Sequence, residues 1–349
     1  MKRWTRRELL PLIGAGLAGS AFVASSAKER TTDANENRMQ ASIFARPRKL
    51  QKGDTIGICT PAGALRRDEE VAEFTEVLNQ MGFKVKVGEN VYKKHGYFAG
   101  TDEERASDFM KFIEDETVQG IFFLRGGWGC ARLLPLLDFD VIRENNKVIM
   151  GFSDLTSLLN AITEHSGIVT FHGPGGNSSW NRYSIGYIRK ITMNDDPIAF
   201  KNTDQDHDII TYSHGTAYGT LWGGNLSVLV SMIGTPYFPK ISNALLFLEE
   251  VGEEPYRVDR MLTQLRQAGV FDKCNGVILG NFRKCTAEEP ERAFTLEEVF
   301  EQHFSDFGKP VYFGAQIGHT VHKMTVPIGV DARMNADEGT FLLVTAAVQ

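Results

Sequence analysis

The sequence predicts an α/β fold: a parallel sheet covered by helices on both faces, followed by a second, mixed α/β domain. Three observations carry this reading. From Thr55 to His172, short apolar strands alternate with helically spaced segments, the pattern of parallel strands buried between helices. Three loops that follow predicted strands, residues 60–63, 125–129 and 151–154, are rich in small residues, and the carboxyl ends of such strands are where ligands bind. After residue 214 the texture changes to longer apolar strands and amphipathic helices that no longer alternate so regularly.

Each element has its own signal. Residues 55–59 (T-I-G-I-C) read as a buried strand. Residues 67–81 are helical through Val71, Phe74, Val77 and Leu78, and Gly82 stops them. Residues 84–91 form a second strand, and Thr101-x-x-Glu104 is a capping box opening the helix of Phe109, Met110 and Phe112. Residues 120–124 (G-I-F-F-L) are a third strand, 131–137 a helix, and 168–172 a strand ending in Gly173-Pro174. Residues 175–214 are polar and read as a linker between an N-terminal domain (47–174) and a C-terminal one (215–349). In the second domain Leu226, Leu229, Val230 and Ile233 are helically spaced, and residues 244–248 form a strand running into Glu249-Glu250. A helix over 256–268, a strand over 276–279 and a helix over 295–307 follow, and then a strand over 311–315 leads to Gly318-His319. Residues 325–330 and 340–344 around Asp337-Glu338-Gly339 read as a β-hairpin.

A length of 349 residues suggests two domains, and 42% hydrophobic residues suffice for two cores. Residues 1–27 are not expected to join them. Lys2, Arg3, Arg6 and Arg7 precede an apolar, small-residue run and a small-residue cleavage site at Ser25-Ser26-Ala27, which is a signal peptide. Thr5-Arg6-Arg7-Glu8-Leu9-Leu10 resembles the twin-arginine export signal, and a general secretory signal fits the same positive start. An exported, periplasmic protein is the expectation, with residues 28–46 as a flexible tether. Gly14, Gly16 and Gly19 spell G-x-G-x-x-G, but no strand precedes them, so no dinucleotide site is read there. Beyond residue 27 the chain has 34 basic against 43 acidic residues, a net of −9, which disfavours nucleic acid as a partner. Cys59, Cys130, Cys274 and Cys285 show no metal-binding spacing.

The chemistry concentrates at residues 147–159, K-V-I-M-G-F-S-D-L-T-S-L-L. Ser153 falls between the end of an apolar strand and the first turn of a helix, where free backbone N–H groups favour developing negative charge. That is the placement of a hydrolase nucleophile; capping of the helix by Ser153 or Asp154 explains the same residues. A serine nucleophile needs a base and a carboxylate to orient it. His319 lies on a loop after an apolar strand, with Gly314 and Gly318 nearby, and His172, in F-H-G-P, is its rival. Glu249 ends a strand with Glu250 pointing to the opposite side, and pairing with Arg257 or Arg260 is the plainer alternative. The order Ser153, Glu249, His319 is that of α/β-hydrolases, although Leu155 stands where G-x-S-x-G needs glycine. His319 and His322 are three apart, yet no third metal ligand accompanies them.

The set R-G-G-W-G, G-F-S-D-L-T, G-T-L-W-G-G-N-L, L-E-E-V-G-E-E-P-Y-R-V-D-R-M-L and G-x-x-x-G-H, in this order, resembles the LD-carboxypeptidase family over residues 48–345. That family holds serine peptidases of cell-wall recycling and relatives that inactivate microcin-type peptide antibiotics. The resemblance implies a Rossmann-like N-terminal domain bearing the nucleophile Ser153 and a C-terminal domain bearing the acid Glu249 and the base His319. It also implies an oxyanion hole of the Gly127 and Asp154 N–H groups, no cofactor or metal, and a homodimer. Trp128 stands where tyrosine is common in the family. The implied substrate is a peptidoglycan tetrapeptide or muropeptide losing its terminal D-alanine; a peptide antibiotic is the variant reading. Arg125 and Asn225 are candidates for holding the substrate's charged ends, or else brace their loops. From a different class, a two-domain exported protein also suits a solute-binding protein without catalysis.

Overall fold

The computed structural model describes residues 43–203 and 209–349; the expected signal peptide and tether up to residue 42 lie outside it. The first sheet runs in the order β12-β5-β4-β3-β1-β2, from β1 (Thr55–Cys59), β2 (Lys84–Val87), β3 (Gly120–Phe123), β4 (Val148–Gly151), β5 (Thr170–His172) and β12 (Val326–Ile328). Strands β1 to β5 are parallel, with Ile58 beside Phe122 and Phe122 beside Met150, and β12 runs antiparallel to β5 at the edge. Strands β1, β3, β4 and β5 are buried because helices cover both faces, which is why their residues are apolar without alternation. Strand β2, at the sheet edge, is largely exposed and alternates as K-V-K-V.

The second sheet has the order β6-β14-β13-β8-β9-β10-β11-β7, with β6 (Ala199–Phe200), β7 (Ile210–Ser213), β8 (Thr216–Asn225), β9 (Ala244–Val251), β10 (Cys274–Arg283), β11 (Val311–Phe313), β13 (Asp331–Asn335) and β14 (Thr340–Leu343). Strands β8 to β11 are parallel, β13 and β7 run against them on either side, and β14 and β6 continue the sheet, each antiparallel to its neighbour. Both sheets belong to one compact unit, Ser42–Gln349.

The helices form where their ends are satisfied. Gly82 closes α1 (Glu69–Met81) at φ 99°, donating its N–H to the last carbonyls. The Thr101–Glu104 capping box opens α2 (Asp102–Glu114) as expected. Helix α4 (Leu155–Ser166) is buried nearly all round, because it packs under the second sheet as well as the first. Asn160 Nδ2 donates to the Gly223 carbonyl (2.9 Å), and the Asn225 N–H donates to Thr156 Oγ1 (2.9 Å). The helix that begins beside Ser153 is thereby fixed to β8.

Several sequence expectations change. Residues 131–137 do not form an α-helix: Cys130–Leu136 is a 3-10 turn containing Pro135, which cannot donate to the helical ladder. Asp138 then caps a separate helix, α3 (Phe139–Glu144). Residues 175–214 are not a plain linker. They contain α5 (Arg182–Thr192), β6 and β7, and Tyr187, Ile188 and Ile191 of α5 are buried. Arg182, Arg189 and Lys190 on the outer face of α5 hid that spacing in a polar stretch. The expected hairpin of 325–330 with 340–344 is instead β13 with β14, while β12 crosses to pair with β5. Ala45, expected within the tether, is already bridged to Ile168.

Candidate active site

The carboxyl ends of both sheets open onto one cavity of about 670 Å³. Its walls include Arg125–Trp128, Phe152–Asp154, Asn225, Glu250, Arg283, His319 and Lys323. Ser153 sits at the end of β4 with φ 65°, a left-handed backbone that non-glycine residues rarely adopt and that costs about 1–3 kcal/mol. The surrounding structure over-determines it. The Ser153 carbonyl accepts the Thr156 N–H (2.9 Å), and Asp154 Oδ2 accepts the Cys130 N–H (2.8 Å). The Asp154 side chain, mostly buried, thus ties the Ser153 turn to the glycine loop after β3, and burial raises its pKa against the pull of the Cys130 bonds.

That loop comes very close to the serine. A Cβ on Gly126 would lie 3.0 Å from Ser153 Cβ and 3.2 Å from the Asp154 nitrogen. Gly126 in turn accepts the Gly63 N–H (3.2 Å). The 125–129 loop therefore packs against Ser153, and the 60–63 loop packs behind it.

Glu249 lies at the end of β9, fully buried, in register beside Asn225 of β8. His319 Nδ1–H donates to Glu249 Oε2 at 2.6 Å, and the His319 N–H reaches the same oxygen at 3.3 Å. This approach requires a glycine at 318: a Cβ there, at φ 92°, would stand 2.2 Å from Glu249 Oε2. Removing a carboxylate from water costs several kcal/mol unless it is paired. Burial alone would raise the Glu249 pKa, but attraction and hydrogen bonding from His319, with smaller help from His172, hold it below the usual carboxylate range. With Nδ1 occupied, Nε2 of His319 is the atom left to act as a base. The His319 ring packs against Phe152, 5.0 Å between centroids, so it lies next to the serine turn. No hydrogen bond joins Ser153 to His319 among the described residues.

Sequence reasoning brought Ser153, Glu249, His319, Gly127 and Asp154 to one place, and the structure gathers them there. His172, the rival base, is buried behind the site with 1 % of its surface exposed, 4.0 Å from Glu249 Oε1. Both proposed substrate contacts line the cavity and also brace it. Arg125 Nη1 donates to the Ala64 carbonyl (2.7 Å). Asn225 Oδ1 caps α6 (Leu226–Ser231) through the Val228 N–H (3.2 Å), while its Nδ2 donates to Glu250 Oε1 (3.0 Å). Glu250 does not pair with Arg257 or Arg260; it also accepts the Ser227 and Val251 N–H groups.

Lys323 is a site residue the sequence reading missed. It is nearly buried, its Nζ stands 4.5 Å from the Phe152 ring centroid, and Ser178 Oγ accepts from it at 3.2 Å. Burial pushes its pKa down to about 8. Its only sequence signal is its place four residues after His319. Among the described residues, no group of three or more His, Cys, Asp or Glu side chains is gathered as metal ligands would be. All four cysteines are buried and unpaired with one another.

A two-sheet α/β protein with a buried carboxylate–histidine pair across a cavity from a strained serine defines a hydrolase-like class. Comparison with known proteins specifies it. The model of the LD-carboxypeptidase N-terminal domain matches residues 56–173, and that of the C-terminal domain matches residues 218–334. The chain belongs to the LD-carboxypeptidase family. It is 34% identical over 304 residues to the probable murein peptide carboxypeptidase of Bacillus subtilis, covering 86% of this chain and 95% of that one. It is 29% identical over 323 residues to the microcin C7 self-immunity protein MccF of Escherichia coli (82% and 92% covered). Among solved structures, the muramoyltetrapeptide carboxypeptidase from Oxalobacter formigenes superposes with a TM-score of 0.73 at 31% identity, over 83% of this chain and 97% of that one.

Proposed function

We propose that this protein is a serine carboxypeptidase that hydrolyses the L,D-amide bond before the terminal D-alanine of murein tetrapeptides. The observation that carries this reading is the Glu249–His319 pair, held at 2.6 Å on the cavity that Ser153 lines. Ser153 Oγ attacks the amide carbonyl and gives its proton to His319 Nε2. The carbonyl oxygen, now negative, takes the N–H groups of Gly127 and Asp154. Collapse breaks the C–N bond, and His319 returns the proton to the departing amine of D-alanine. Water, deprotonated by His319, then hydrolyses the ester and restores the serine. Glu249 keeps the imidazole in the Nδ1–H tautomer and stabilises its charged form. The Ser153–His319 hydrogen bond forms as substrate fills the cavity, since such bonds are often long in the free enzyme.

The mixed charge of the cavity, with Arg125, Arg283 and Lys323 on one side of the balance and Glu250 and Glu253 on the other, suits a peptide end bearing both a carboxylate and an amine. The name and 34% identity of the Bacillus relative favour murein peptide as the substrate. The microcin immunity relative, at 29%, supports a second reading in which the same residues cut a peptide antibiotic. The wall substrate also accords with residues 1–27 as an export signal and a periplasmic location.

The test is incubation with a disaccharide tetrapeptide and, separately, with a processed microcin, followed by mass spectrometry. Loss of one alanine from the first supports the proposal. Cleavage of the second alone moves the substrate to antibiotics, and cleavage of neither supports a binding protein.

A further inference from the structure

His172 ends β5 with both ring nitrogens buried and without a hydrogen-bond partner among the described residues. Its Nε2 stands 4.0 Å from Glu249 Oε1, and that oxygen likewise has no donor. Glu249 Oε2, by contrast, accepts twice from His319. The rings of Phe152 and Phe247 stand edge-on to the imidazole at 6.3 and 5.5 Å, so the neighbourhood offers little polar compensation. A separation of 4.0 Å is not a hydrogen bond. About 1 Å of side-chain movement makes it one, and leaving both groups unsatisfied costs more than making it.

We propose that His172 is a positioning residue for the acid of the site: as a neutral imidazole it donates Nε2–H to Glu249 Oε1. The carboxylate is then held through both oxygens, and its plane, and with it the ring of His319, is fixed. The inference rests on the reading of Glu249 and His319 as acid and base. The charged or titratable groups facing His172 are Glu249 from β9, and His319 and Lys323 from the segment after β11. Burial is the largest influence and outweighs the pull of Glu249, pushing His172 down to about 4, so the donor stays neutral in the working range.

The test compares wild type, His172→Gln and His172→Phe in D-alanine release from a murein tetrapeptide. His172→Phe fills the space but donates nothing. It is expected to lower kcat about tenfold, leave KM unchanged and move the acid limb of the kcat profile to higher pH, because Glu249 then takes a proton more readily. His172→Gln, which offers an amide N–H at similar reach, is expected to recover most of the loss. A Phe variant with wild-type kcat and acid limb overturns the proposal. A second measurement needs neither variant nor activity: the ¹⁵N imidazole shifts of wild-type His172 are expected to show a protonated Nε2 and a bare Nδ1 from pH 5 to 8. The opposite tautomer overturns it. If the wild type releases no D-alanine, the functional reading fails while the tautomer still decides this one.

Discussion

Glu249 and His319, 70 residues apart, meet at 2.6 Å because β9 delivers the carboxylate to the sheet's open end and Gly318 lets the turn after β11 fold over it. The pair is the fixed half of the site. Ser153 is the other half, and the bonds from α4 to β8 hold the two halves together.

Replacing Glu249 by Gln keeps the shape of the acid and removes its charge. The Nδ1–H tautomer of His319 then loses its acceptor preference, and kcat is expected to fall by about 10³–10⁴-fold with little change in KM. Steady-state kinetics of D-alanine release, beside a circular dichroism spectrum showing an unchanged fold, checks this.

Gly126→Ala puts a methyl group 3.0 Å from Ser153 Cβ and 3.2 Å from the Asp154 nitrogen, where the neighbours are largely backbone. The loop must move away from the proposed oxyanion position. Activity is expected to drop at least about tenfold, with a stability loss of about 1–3 kcal/mol, measured by turnover and by urea denaturation.

His172 has a folded pKa of about 4 against an ordinary 6.5. Between those values the unfolded chain binds a proton that the folded one refuses, so stability rises with pH across that window and falls as the solution is acidified. Glu249, held below its ordinary range, adds a loss in the same direction further into acid. The urea midpoint of the wild type is expected to be lower at pH 5 than at pH 7. The difference should shrink in His172→Phe.

Export is the expectation furthest from the folded part. If residues 5–10 are a twin-arginine signal, Arg6→Lys with Arg7→Lys leaves the protein in the cytoplasm, while Gly14→Ala, in the rejected dinucleotide motif, exports normally. Cell fractionation and immunoblotting distinguish the two.

Much of this was legible in the sequence because the site hangs on short-range signals. The apolar run 148–150 followed by a small-residue turn places Ser153, and a strand that runs into paired glutamates places Glu249 at a sheet end. Helix α5 was not legible, since its apolar positions are diluted by the Arg and Lys that face solvent and by Ser184, a polar residue that is itself buried. The crossing of β12 into the first sheet was not legible either: an apolar segment fits either sheet equally well, and only tertiary packing chooses. Lys323 was missed for a related reason. Nothing local distinguishes a lysine that folds inward over Phe152 from one that points to solvent.

The central claim is that Ser153 is the nucleophile of a D-alanine-releasing carboxypeptidase, and the most direct measurement is the rate of D-alanine release from a murein tetrapeptide by wild type and Ser153→Ala. The expected result is steady release by the wild type and a loss of at least about 10³-fold in the variant, with both proteins equally folded. Release by Ser153→Ala at the wild-type rate would contradict it.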